Sequence, residues 1–158
     1  MRLTVKVGQP YKVGRVNGGV LQVIPIIGGN VVGNRINGTV VPGGADWNTY
    51  RDEGVAHVYA KYLLKTDDEE YIAIENEGLF EPDTKSIIKT NPRFVANCEG
   101  QYQFLNEGVY VGELVSTPNV ESSVDIVIYR MNSKINAISN FTVMSMNYIL
   151  NRISGNPV

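Results

Sequence analysis

Apolar and polar positions alternate through most of the first 131 residues, the two-residue period of strands with one face buried. The pattern is clearest over residues 55–65. Ala56, Val58, Ala60, Tyr62 and Leu64 share one face, and Val55, His57, Tyr59, Lys61, Leu63 and Lys65 share the other. The first, more apolar set is expected to point inward. After Thr66-Asp67-Asp68-Glu69 the pattern returns over 70–77 with Ile72 and Ile74 on one face, which predicts a hairpin. Further strands are predicted over 3–7, 11–16, 20–27, 31–32 with 35–41, 87–88, 93–96, 109–115 and 124–130. Asn17-Gly18 predicts a type I′ hairpin turn, whose two central residues need positive φ. Pro25 removes one ladder hydrogen bond, so 20–27 is expected at an edge or with a bulge. The run Pro42-Gly43-Gly44-Ala45-Asp46-Trp47 reads as a loop.

Eight to ten short strands, with no long helical period before residue 131, predict a mostly β sandwich or barrel and argue against a parallel α/β sheet. Closure into a barrel would remove exposed strand edges. From residue 132 the period changes. Val143, Met146, Leu150 and Ile153 recur at three- and four-residue steps, which predicts an amphipathic helix over 141–153 ending at Gly155. The expected organisation is therefore a β-barrel domain over 1–131 and a C-terminal helical extension over 132–158.

With 158 residues, 43% of them hydrophobic and 19% charged, the chain suits one soluble domain with a real core. A net charge of -2 with no basic run gives no support for a nucleic-acid partner. A single cysteine, Cys98, excludes a disulfide framework within the chain, and no apolar stretch approaches the ~20 residues of a membrane helix. The N-terminus alternates where a signal peptide would carry a continuous apolar block, so a cytoplasmic location without a membrane partner is expected.

Nucleotide signatures are missing: Gly28, Gly29 and Gly33 lack the dinucleotide-binding spacing and a following helix. One histidine and one cysteine cannot build the usual zinc site, and no G-x-S-x-G elbow accompanies His57. No metal and no cofactor are expected. Asp67-Asp68-Glu69-Glu70 lacks the alternate spacing of a calcium loop and reads as a solvated turn. Trp47, the one tryptophan, is expected to fold over one end of the sheet or barrel, with ligand stacking as the alternative. His57 suits acid–base work near neutral pH, although alternation sets it on the outer face. Arg93 suits a bidentate grip on a ligand carboxylate, against the plainer reading of a structural salt bridge.

Several stretches carry a family likeness: Ile24-Pro25-Ile26-Ile27-Gly28-Gly29, the run from Asn37 through Pro42-Gly43-Gly44-Ala45-Asp46-Trp47, Thr90-Asn91-Pro92-Arg93-Phe94 and Val109-Tyr110-Val111-Gly112. Over roughly 3–130 the chain resembles the uncharacterised DUF3237 family, also called UPF0311. The resemblance implies a small antiparallel, lipocalin-like β-barrel of cytoplasmic bacterial proteins with no established general activity. The chain departs from the family pattern at Tyr59 and Lys61, where an acidic residue and an arginine are common, at Glu69, where glycine is usual, and at Phe104, where tryptophan is usual.

Three functions follow. The first is a barrel that binds a small, partly apolar molecule through Trp47, Tyr62 and Arg93. The second is a cofactor-independent enzyme of the cyclase, isomerase or lyase type with Asp46 and His57 as an acid/base pair in the barrel mouth. The third is a fully packed structural homo-oligomer. A homo-oligomer, most simply a dimer, is expected in any case, because the tail's apolar stripe and the outer positions His57, Tyr59 and Leu63 need covering.

Overall fold

A computed structural model describes residues 1–82, 87–116 and 122–131 of the chain. These residues form nine strands: β1 (Arg2–Val7), β2 (Tyr11–Val16), β3 (Gly19–Val32), β4 (Asn37–Arg51), β5 (Ala56–Thr66), β6 (Tyr71–Phe80), β7 (Ile88–Val95), β8 (Tyr110–Ser116) and β9 (Ser123–Arg130). Every pairing is antiparallel. The order β1-β9-β8-β7-β6-β5-β4-β3 returns to β1 through a β1–β3 pairing, so eight strands close a barrel. β2 stands outside the ring. The long β3 serves both neighbours, pairing over 19–23 with β2 and over 26–32 with β1.

Alternation fixes which residues face in. On β5, Ala56, Val58, Tyr62 and Leu64 are buried, and on β6 Ile72 and Ile74 have no exposure at all. The predicted β5–β6 hairpin is present, closed by the Thr66 and Glu70 backbones at 2.9 Å. Glu69 completes its turn at φ +71°, the one positive φ outside glycine among the described residues. Glycine takes that conformation without a Cβ penalty, which is the physical sense of the family's preference at this position.

Four strand expectations need correction. Residues 31–32 complete β3 rather than joining 35–41, because the chain turns over 33–36 before β4 begins at Asn37. Residues 42–47 are not a loop: β4 runs unbroken from Asn37 to Arg51. Between the pairs Val41–Leu63 and Ala45–Lys61, β4 spends two residues more than β5, a bulge that bends the barrel wall. A composition of Pro and two Gly reads as a turn, yet it equally suits such a bend, because a Cβ on Gly44 would sit 2.5 Å from the Lys61 carbonyl oxygen. Two extra residues preserve the phase, so Val40, Asp46 and Asn48 all turn inward. The 17–18 hairpin forms, but only Gly18 has positive φ (+84°), so the turn is not type I′. The two strands predicted over 87–88 and 93–96 are parts of one strand, β7, which runs from Ile88 to Val95. The bulge expected in the Pro25 stretch shows against β1, where β3 spends two steps from Gly28 to Ile26 for one from Lys6 to Val7.

The barrel end near Arg2 is closed by the connection over 96–109 and its 3-10 turn, Gln103–Leu105, the one helical element among the described residues. Leu105 is 2% exposed inside this plug, and the Arg35 guanidinium lies 3.5 Å over the Phe104 ring. Asn106 holds Ala96 from both sides, accepting from its N–H at 2.8 Å and donating to its carbonyl at 3.0 Å. The Tyr102 hydroxyl donates to Asp68 at 2.7 Å, tying the plug to the β5–β6 turn. Trp47 therefore does not cap the barrel. Its strand parity sends it outward, where it is 48% exposed. The helix expected in the C-terminal extension falls outside the described residues, and among these no helix is long and apolar enough to cross a membrane.

Candidate functional site

The opposite half of the barrel, toward Val7, holds a cavity of about 40 Å³. Its walls are mostly apolar, with Val5, Val7, Ile26, Val58, Leu114 and Ile126 among them. Into it face four polar side chains from four strands: Asp46 on β4, Tyr62 on β5, Asn76 on β6 and Thr90 on β7.

Register explains the grouping. Asp46 pairs with Ala60, and Ala60 with Asn76, so two polar groups share one inward row with only a methyl between them. Thr90 pairs with Gly78 on one side and Gly112 on the other. A Cβ at Gly112 would lie 2.3 Å from Thr90 Oγ1, and one at Gly78 would lie 2.8 Å from Thr90 Cγ2. Small neighbours on both sides thus leave room for Thr90 and the adjoining space.

The polar groups are largely without partners. Tyr62 Oη, Asn76 Oδ1 and Thr90 Oγ1 are buried and accept or donate no hydrogen bond among the described residues. Native structures leave few such atoms, since each costs about 1–3 kcal/mol in lost hydration. Asp46 is better served: Asn48, with its amide nitrogen toward the carboxylate, donates at 2.9 Å to Oδ1 and 3.3 Å to Oδ2. Burial nevertheless pushes the Asp46 carboxyl up to about 6, against the lowering effects of the Tyr59 backbone, Asn48 and the His57 charge. Burial, aided by the Asp46 charge, pushes the Tyr62 phenol up as well, so it stays protonated at neutral pH.

Of the five residues singled out in the sequence, Asp46 and Tyr62 come together in this cavity. The other three lie on the outer wall. His57 pairs with Glu77 at 2.8 Å across β5 and β6, so Asp46 and His57 do not converge on one site. Strand parity is the reason, because 46 is an inward position and 57 an outward one. Arg93 is exposed opposite Glu75, a carboxyl held low first by Lys61 and also by the Arg93 charge. Arg93 is not among the residues that line the cavity, so no carboxylate grip by it reaches there. Trp47 is outward too and stacks on nothing inside. Asn48, Asn76 and Thr90 escaped the sequence reading. Parity held the signal for Asn76, which continues the inward series Ile72, Ile74, and for Thr90, which precedes the buried Pro92, Phe94 and Ala96. The family departures at Tyr59 and Lys61 fall on the outer face and leave the cavity lining intact.

A family model described as a protein of unknown function, DUF3237, matches residues 1–131. A UPF0311 protein of Rhodopseudomonas palustris is 34% identical over 125 residues, which cover 70% of this chain and 81% of that one. The crystal structure of a conserved R. palustris protein of unknown function aligns with a TM-score of 0.73 at 30% identity, over 82% of this chain and 92% of the other. A Clostridium acetobutylicum protein of unknown function aligns equally well, at 0.73 and 29%, over 83% and 95%. A beta-barrel like protein from Acinetobacter baumannii shares the fold at 0.72 and 23% identity, over 83% and 92%. With a matching model that spans all nine strands and a relative at one-third identity, this chain belongs to the DUF3237 family of UPF0311 proteins.

Proposed function

We propose that the chain is a small-molecule-binding barrel whose ligand is partly apolar and carries a neutral hydroxyl or carbonyl group. The observation that carries this reading is the trio of partnerless buried oxygens, Tyr62 Oη, Asn76 Oδ1 and Thr90 Oγ1, around one apolar cavity. A ligand head group that hydrogen-bonds to them relieves a standing cost of about 1–3 kcal/mol per atom. The Asp46 carboxylate disfavours an anionic head, and Arg93 is outside and offers it no compensation. Volume sets the scale. A cavity of about 40 Å³ is well below the roughly 150 Å³ that accepts a benzene ring, so the polar head enters while an apolar body extends toward Val7, Leu114 and Val124.

A second reading, an enzyme that moves a proton inside the barrel, is favoured by the Asp46 carboxyl, held by burial near the pH at which it both takes and gives protons.

Amide NMR spectra with 2-butanone, 1-butanol and butyrate test the binding reading. The two neutral probes are expected to shift the amides of Tyr62, Asn76 and Thr90, and butyrate to leave them in place. Neutral probes that move none of these amides reject it, and so does equal perturbation by Thr90→Val protein, which lacks one of the oxygens.

A further inference from the structure

Among the ionisable side chains of the described residues, the cavity holds one carboxyl and one phenol, and no lysine, histidine, cysteine or serine. The Thr90 hydroxyl has no histidine or lysine in the lining to activate it as a nucleophile, so the chemistry this set favours is proton transfer. Asp46 sits in one inward row with Asn76, and Tyr62 occupies the next inward position beyond Ala60 on β5. We propose that Asp46 and Tyr62 form a proton-transfer pair that enolises a ketone or aldehyde bound in this cavity, with Asp46 as base and the Tyr62 hydroxyl as donor to the carbonyl oxygen. The proposal rests on the cavity being a ligand site.

The chemistry balances without a co-reactant. The Asp46 carboxylate takes a proton from the carbon beside the carbonyl, the C–H electron pair becomes the C=C bond of an enolate, and the carbonyl π pair moves onto oxygen. Tyr62 and Thr90 hydroxyls donate to that oxygen, which needs donors most when its charge is greatest. The carboxylic acid then returns the proton. Return to the same carbon exchanges hydrogen, whereas return to the γ-carbon of a β,γ-unsaturated ketone moves the double bond into conjugation.

Three features fit this assignment. The hydroxyls of Tyr62 and Thr90 have no other acceptor among the described residues, which leaves them for a carbonyl oxygen. Asn48 fixes the Asp46 carboxylate from behind and limits its rotation. Apolar walls exclude water, which strengthens each donor toward a developing charge. The groups around Asp46 leave it as the titrating base. β3 carries no ionisable side chain, the neighbouring row of β6 presents Asn76, β5 presents protonated Tyr62 inside, and His57 lies on the outer wall beside Glu77.

Hydrogen–deuterium exchange of 2-butanone in D2O, followed by NMR on the full chain, decides the matter. Wild type is expected to accelerate loss of the α-proton signal over buffer, with a rate that rises with pH and levels off above about 6 as Asp46 ionises. Asp46→Asn should return the rate to that of buffer. Tyr62→Phe should lower it by roughly 10²- to 10³-fold, the usual effect of removing one oxyanion donor. Lys61→Gln, on the outer wall and without influence on the Asp46 carboxyl, should exchange as wild type does. Amide shifts in the same samples separate two failures. Bound butanone that exchanges no faster than in buffer overturns the enolisation and leaves the binding site standing, as does Asp46→Asn protein that exchanges like wild type. Butanone that shifts no cavity amide overturns both.

Discussion

Replacing Asp46 by asparagine keeps the shape of the side chain and removes its charge. The aspartate is held at about 6 in the folded chain against an ordinary 3.8, chiefly by burial. An acid whose folded value is raised binds its proton more tightly in the native state than in the unfolded one. Native stability is therefore greatest below 3.8, falls as the pH rises through about 6, and is level above. At about 1.4 kcal/mol per pH unit, that gap amounts to about 3 kcal/mol at pH 8. Asp46→Asn carries no such cost. It should be more stable than wild type by about 3 kcal/mol at pH 8, and the difference should shrink to under about 1 kcal/mol near pH 4. Urea unfolding of both proteins at three pH values, followed by far-ultraviolet circular dichroism, measures the difference directly. Every other titrating group is common to the pair and cancels. A variant less stable than wild type at pH 8, or a difference that does not change with pH, refutes the burial argument for Asp46.

Three further predictions are open to the same unfolding assay. Glu69→Gly should gain roughly 0.5–1 kcal/mol, since it relieves a left-handed backbone at φ +71° and loses only the exposed Lys65–Glu69 pair; a net loss would show that the ion pair outweighs the backbone. Gly112→Ala should cost about 1–3 kcal/mol by driving a Cβ against Thr90 Oγ1, and much less in a Thr90→Ala background; additive effects would place the strain elsewhere. Trp47→Ala should cost about 1–2 kcal/mol, below the 3–5 typical of buried aromatic truncations, because half of its surface already faces solvent; a larger loss would mean that the indole is covered in solution.

The alternation on residues 55–65 was enough to sort Tyr62 inward and His57 outward, and it did so because β5 is a regular strand with one wet face. The same logic failed at 42–47. A bulge spends residues without a period, and its Pro and Gly are the residues of a turn, so local composition could not tell a bent strand from a loop. That one error misplaced Trp47. Asn76 and Thr90 were visible as polar residues in inward series, but only closure of the barrel brings strands β4 to β7 around one space. The plug was not legible at all, since Leu105 and Tyr102 are buried by contacts far away in sequence, such as Asp68 with Tyr102.

The bulge on β4 also governs how the length of this protein can vary. Strand faces follow a two-beat rhythm, and the extra residues between Val41 and Ala45 number two, one full beat. Loss or gain of a single residue there would set everything up to Arg51 off the beat. Trp47 and Thr49 would then swing into the core, and Asp46 and Asn48 would swing out to water, taking the Asp46 carboxylate out of the cavity while the hydrogen-bond ladder itself survived. Loss of both residues would flatten the wall but keep every side chain on its own side. Insertions and deletions at 42–44 are thus expected to be tolerated in pairs, so that an odd change in length marks a relative whose chemistry is different or gone.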